Sequence, residues 1–176
     1  MGQYYHPIIL DAEGRIVVWM DAQMYGNGNK LTEHGLMKNN FTSTFEFGLS
    51  PEGVYHKSRV VWAGDYADEE PAYGESLYKM CNEYNRICPS EKNTGLYQFV
   101  VNHSKCQYVD KSKVPVSADG YALHPLPLLA AEGNGRGGGD YYGKSQSLVG
   151  IWARDVISVE ETAPAGFIEI AFNLVE

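Results

Sequence analysis

The chain has 176 residues, 44% of them apolar and 12% aromatic, and a formal net charge of −8. That length suits one domain with a real core, burying about two-thirds of its unfolded surface. The negative charge argues against non-specific binding along a phosphate backbone, which needs a basic face. No apolar run approaches the ~18 residues of a membrane span.

In chain order, QYYHPIIL (3–10) and RIVVWM (15–20), joined through DAEGR, read as an opening β-hairpin. Residues 21–29, with YGNGN, form a loop. From Lys30 to Leu49 the pattern is weakly helical in two pieces. Leu31, His34 and Met37 mark the first, and Phe41, Phe45 and Leu49 the second, which Asn39 or Asn40 would cap. SRVVWAGDY (58–66) is a buried strand running into the acidic loop DYADEEP. Residues 73–86 predict a helix with Leu77, Met80, Cys81 and Tyr84 on one face. LYQFVVN (96–102) and CQYVD (106–110) make a hairpin around a tight HSK turn. HPLPLLAAEG (124–133) is expected to be extended, because Pro125 and Pro127 oppose a helix. LVGIWARDVISVE (148–160) and FIEIAFNLV (167–175) are expected strands, separated by the turn ETAPAG. This order predicts a single α+β domain over 1–176, with a mainly antiparallel or mixed sheet and about two helices.

Three cysteines, Cys81, Cys88 and Cys106, form neither an even set nor a CxxC pair. They fit neither a disulfide framework nor a structural zinc site, and point to a reducing, cytoplasmic setting. The first residues, MGQYYHPIILDAEGR, lack the basic and apolar regions of a signal peptide. No metal or cofactor is expected.

The segment EGNGRGGGDYYG (132–143) is the strongest local signal, with six glycines. Glycine loses the most conformational freedom on folding, so such a run suits positive φ or close approach to a guest. Gly133, Gly135 and Gly138 fit GxGxxG, but no βαβ context accompanies them. Gly138 to Ser145 fits the phosphate-loop spacing with Lys144, but too few residues remain for that fold. What survives is an anion nest of main-chain amides, a guanidinium fork from Arg136 and stacking by Tyr141 or Tyr142. The expected contact set is therefore Asn134, Gly135, Arg136, Gly137, Gly138, Gly139, Asp140, Tyr141 and Tyr142.

Asp65, Asp68, Glu69 and Glu70 lack calcium-loop spacing and read as a solvated face. The histidines at 6, 34, 56, 103 and 124 form no metal motif. If the chain were an enzyme, His124 and His103 would be its general-base candidates, with Asp140 or Asp155 as partner. Lys105, Lys111 and Lys113, beside His103 and Tyr108, form the one local basic cluster. It would grip phosphate or simply solubilise a hairpin.

MGQYYHPIILD, VVWAGDYADEE, VVNHSKCQYVDKSKVP, HPLPLLAAEGNGRGGGDYYG and GIWARDVISVE together resemble small proteins of phages and mobile elements. That resemblance implies a context, antagonism of host defence from within the host cytoplasm, and supplies no catalytic residues. The expected function is non-enzymatic sequestration of a phosphate-bearing or nucleotide-like small molecule, in a monomer or a homo-oligomer. Two alternatives are an acidic inhibitor docking on a host protein, and a hydrolase or transferase acting on a nucleotide-like substrate.

Overall fold

The computed structural model describes residues 2–92, 97–133 and 147–174. The opening hairpin is β1 (Tyr5–Leu10) and β2 (Ile16–Met20), paired antiparallel. Every residue of β1 is buried, so it reads as a near-continuous apolar run rather than an alternation. The period of two still sorts its side chains: Tyr5 and Ile9 enter a large core on one face, Ile8 and Leu10 a smaller one on the other.

The remaining elements come in this order. They are α1 (Leu31–His34), α2 (Asn40–Gly48), β3 (Ser58–Gly64), α3 (Leu77–Met80), β4 (Arg86–Ile87), β5 (Phe99–Asn102) and β6 (Gln107–Asp110). Then come α4 (Pro125–Leu129), β7 (Ala131–Glu132), β8 (Val156–Glu160) and β9 (Ile168–Glu169). The strands form one mixed sheet in the order β4-β2-β1-β3-β8-β5-β6-β9, with β7 joined to β3 as a branch. The α+β expectation holds, with four helices among the described residues rather than about two, three of them five residues or shorter.

Three local expectations are corrected. Residues 73–86 hold a single helical turn, α3, capped by Ser76. The chain leaves the helix at Cys81 because the tryptophan of β2 captures the residues just beyond it: Trp19 Nε1 donates to the Asn82 carbonyl and Trp19 N to the Asn85 carbonyl. Residues 124–133 are not extended throughout, since 125–129 form α4. Its prolines fall in the first turn, where an amide hydrogen has no intrahelical partner to lose. Finally, only 156–160 of 148–160, and only 168–169 of the described part (167–174) of 167–175, pair as strands. Gly150 (φ 78°) and Arg154 (φ 67°) turn the preceding chain instead.

Strand β3 is the hub. One edge pairs with β1 from Arg59 to Gly64. On the other edge Ser58 and Arg59 face β8, antiparallel, while Trp62 and Ala63 face β7, parallel. The two ladders diverge there, and Arg154 sits in the fork. Its Nε donates to Glu132 Oε2 (2.7 Å) and its Nη1 to Glu70 Oε2 (3.1 Å), while Nη2 contacts both carboxylates. These partners push its pKa further up against the opposing effect of burial. Replacing Arg154 with alanine is expected to lower stability by about 2 kcal/mol, because two half-buried carboxylates lose their common donor. The urea midpoint measures this, and an unchanged midpoint refutes the clamp.

Candidate functional site

The site grows from one buried charge. Phe41 and Phe45 of α2 and its C-cap Leu49 recur every fourth residue and enter the large core. Glu46, next to Phe45, is only 1% exposed and faces the turn after β6. There Asp110 caps the short turn Lys111–Lys113 by accepting from the Ser112 amide (2.9 Å) and hydroxyl (2.7 Å). That cap directs Lys111 inward, and its Nζ donates to both Glu46 oxygens at 2.9 and 3.0 Å. Burying a carboxylate is costly unless it is paired and hydrogen-bonded. Burial would raise the Glu46 pKa, but the facing His124 and Lys111 reverse that and draw it down to about 2.

His124 is the third member, 2% exposed. It caps α4, with Nδ1 accepting the Leu126 amide hydrogen at 3.1 Å. A ring nitrogen that accepts carries no proton, so the hydrogen-bond pattern puts the ring's proton on Nε2, 3.1 Å from Glu46 Oε1.

This triad lies beside a cleft of about 470 Å³ between residues 36–39 and 111–122. The two walls are tied by the bridge between Leu36 and Leu123 and by the Met37 amide donating to the Ala122 carbonyl (2.8 Å). Lys38, Asn39, Lys111, Ser112 and Tyr121 supply its polar lining, and no carboxylate lines it among the described residues. Lys38 has a left-handed backbone (φ 67°) in the tight turn that delivers Asn39 to the α2 cap. For a side chain that is neither Gly nor Asn this conformation costs about 1–2 kcal/mol. Tyr121 is 58% exposed, its ring open to solvent.

A second cleft, about 340 Å³, occupies the fork at β3, walled by Asp68, Glu69, Glu70, Glu132, Gly133 and Arg154. Four carboxylates there surround one guanidinium that Glu70 and Glu132 already engage. Electrostatically it suits a cationic group rather than phosphate. Behind it, the Gln3 carboxamide packs where side chains on Gly64 and Gly133 would stand. Among the described residues no group of histidines, cysteines and acids is placed to hold a metal ion.

Of the predicted site residues, Asn134, Gly135, Arg136, Gly137, Gly138, Gly139, Asp140, Tyr141 and Tyr142 lie outside the described residues. Their N-terminal root, Glu132 and Gly133, lines the fork cleft. The lysine cluster is dispersed: Lys105 pairs with Asp155, Lys113 with Glu169 (2.6 Å), and Lys111 turns to Glu46. His103 does not meet Asp155. Its Nε2 lies 2.8 Å from Ser158 Oγ, which donates to Glu160 Oε1 (2.7 Å), itself 2.8 Å from His56 Nε2. Burial, with Lys57 and His56 nearby, lowers the His103 pKa against the opposing pull of Glu160. Ser158 is fully buried and its hydroxyl proton is committed to Glu160, so it offers no reacting oxygen to a substrate. Cys81 is likewise quiet, since burial pushes its thiol up to about 12.

Sequence reasoning missed Glu46, Lys38 and Tyr121. The signal for Glu46 is a lone acid inside the aromatic run FEF of a helix whose neighbours face the core. Nothing in the sequence marks Lys38. No helix among the described residues is long and apolar enough to cross a membrane. Comparison with protein-family models, curated proteins and solved structures finds no match for this chain.

Proposed function

We propose that the chain binds, without turning over, a phosphate-bearing, nucleotide-like small molecule in the cleft between Lys38, Lys111 and Tyr121. One observation carries this reading. On a chain of net charge −8, this cleft is lined by two lysines, Lys38 and Lys111, and, among the described residues, by no carboxylate. Its volume of about 470 Å³ falls in the range of small-molecule pockets, about 300–1,000 Å³. Lysine is a compact charge suited to phosphate, and an exposed tyrosine ring supports a flat base, worth about 1–3 kcal/mol per stacked base. Binding is favoured over catalysis because the described candidate bases are engaged. His124 spends one ring nitrogen on the α4 cap and faces Glu46 with the other, and His103 is tied to Ser158. In the context that the resemblance to phage proteins implies, such a binder would remove a nucleotide signal from host defence.

Calorimetric titration with a panel of nucleotides tests the reading. Lys38→Gly is the informative variant. It is expected to weaken nucleotide binding about tenfold while raising stability by about 1 kcal/mol, because glycine adopts the left-handed turn without strain. Unchanged affinity in this variant would exclude Lys38 from the contact set.

A second reading, an inhibitor docking on a basic protein surface, draws on the acidic fork cleft. It expects Asp68 and Glu69 substitutions to abolish the effect on the target protein, with no nucleotide bound at all.

A further inference from the structure

We infer that the Lys38–Lys111 cleft is matched to one negative charge and therefore selects a phosphodiester over phosphate monoesters and polyphosphates. The inference rests on reading this cleft as a nucleotide site, and it names the class of phosphate that the site accepts.

The charges along the wall set this preference. Lys111 does not present a free ammonium. Two of its three hydrogens go to the two oxygens of Glu46, which lies directly behind it. Its side chain is 9% exposed, so little solvent separates the pair from a guest. Its third hydrogen remains for a ligand. His124, its Nε2 3.1 Å from Glu46 Oε1, accepts the Leu126 amide hydrogen at Nδ1 and does not line the cleft. Lys111 and Glu46 therefore sum to zero, and Lys38 supplies the one uncompensated positive charge among the described lining residues.

The margins add none. Asp110 caps the turn below and faces Lys113, which Glu169 also engages. Asp119, exposed in the turn before Gly120, brings a negative charge beside the lining residues. A phosphodiester carries one negative charge. A phosphate monoester carries about −1.5 to −2 at pH 7. The second charge of a monoester would face Glu46 through Lys111, in a poorly screened setting where like charges repel strongly. Tyr121 then favours a diester that carries a base.

The experiment titrates the full chain with 3′,5′-cyclic AMP, 5′-AMP and ATP at fixed ionic strength. The expected result is cyclic AMP bound at least tenfold more tightly than 5′-AMP, and ATP weakest. Glu46→Gln removes the opposing charge and should narrow or reverse that preference. Asp119→Lys adds a charge at an exposed position and should narrow it too, which keeps the test open if Glu46→Gln fails to fold. Equal or tighter binding of 5′-AMP or ATP by the unmodified chain overturns the inference and leaves the site reading standing. So does a preference that neither folded variant moves. Absence of binding by all three nucleotides brings down the site reading itself. The same diester group also occurs in lipid headgroups. Flotation with phosphatidylglycerol vesicles is expected to show no association, and vesicle binding without cyclic AMP binding refutes the assignment to a nucleotide.

Discussion

Lowering the pH from 7 to 4 is expected to unfold this protein, and two buried histidines account for most of the loss. His34 is fully buried, and its ring bridges two parts of the core. Nδ1 lies 3.0 Å from the Gly28 carbonyl, and Nε2 accepts the indole hydrogen of Trp62 at 3.0 Å. Protonation at Nε2 would set two donors against each other. Burial therefore lowers its pKa from 6.5 to about 4. His6, stacked on Tyr78 and tilted against Trp19, is lowered by burial to about 4 as well. In each case the folded state prefers the neutral ring. The stabilisation is complete above the unfolded pKa of 6.5 and disappears as the pH falls towards 4, by about 3 kcal/mol per histidine. Together that approaches a total stability of about 5–15 kcal/mol. Glu46 extends the loss at lower pH. Its folded pKa of about 2 lies below its ordinary 4.5, so its contribution is held above 4.5 and lost between there and 2. Urea unfolding at several pH values measures the slope, and His34→Gln should flatten it between pH 6.5 and 4. A slope identical to that of the unmodified chain would exclude His34 as a source.

Replacing Lys111 with methionine should be the most damaging single change near the cleft, at about 3–5 kcal/mol, because it leaves a buried carboxylate without its cation. Methionine keeps the length and apolar stem of lysine, so the loss reports charge rather than packing. The paired change Lys111→Met with Glu46→Gln is expected to recover most of it, since a buried ion pair itself contributes little net stability. A double-mutant cycle from thermal or urea melts gives the coupling. If the single and double variants are equally unstable, the carboxylate is not the cause.

The hairpins of β1 with β2 and of β5 with β6 were legible because each is a local pattern: β-branched and aromatic runs around a short turn. Asn39 as the α2 cap was legible for the same reason. What misled were residues whose role depends on a distant partner. Pro125 and Pro127 oppose a helix in general, yet His124 starts one in which both fall in the first turn. The apolar run after Leu148 looked continuous, yet Gly150 and Arg154 turn it so that the chain meets β3 through Val60. Lys111 was visible only as one of three neighbouring lysines. Its pairing with Glu46 spans 65 residues, and no local period encodes such a distance. The glycine-rich stretch was the loudest signal in the sequence, while the best-defined cavity chemistry among the described residues comes from residues with no motif at all.

The sheet also ends abruptly on both sides. Its outermost strands, Arg86–Ile87 and Ile168–Glu169, contribute two residues each. Among the described residues each outermost strand thus offers a neighbouring molecule only two residues on which to extend the ladder, and Glu169 adds a charge at one of the two margins. Strand addition at these two outermost strands is therefore disfavoured.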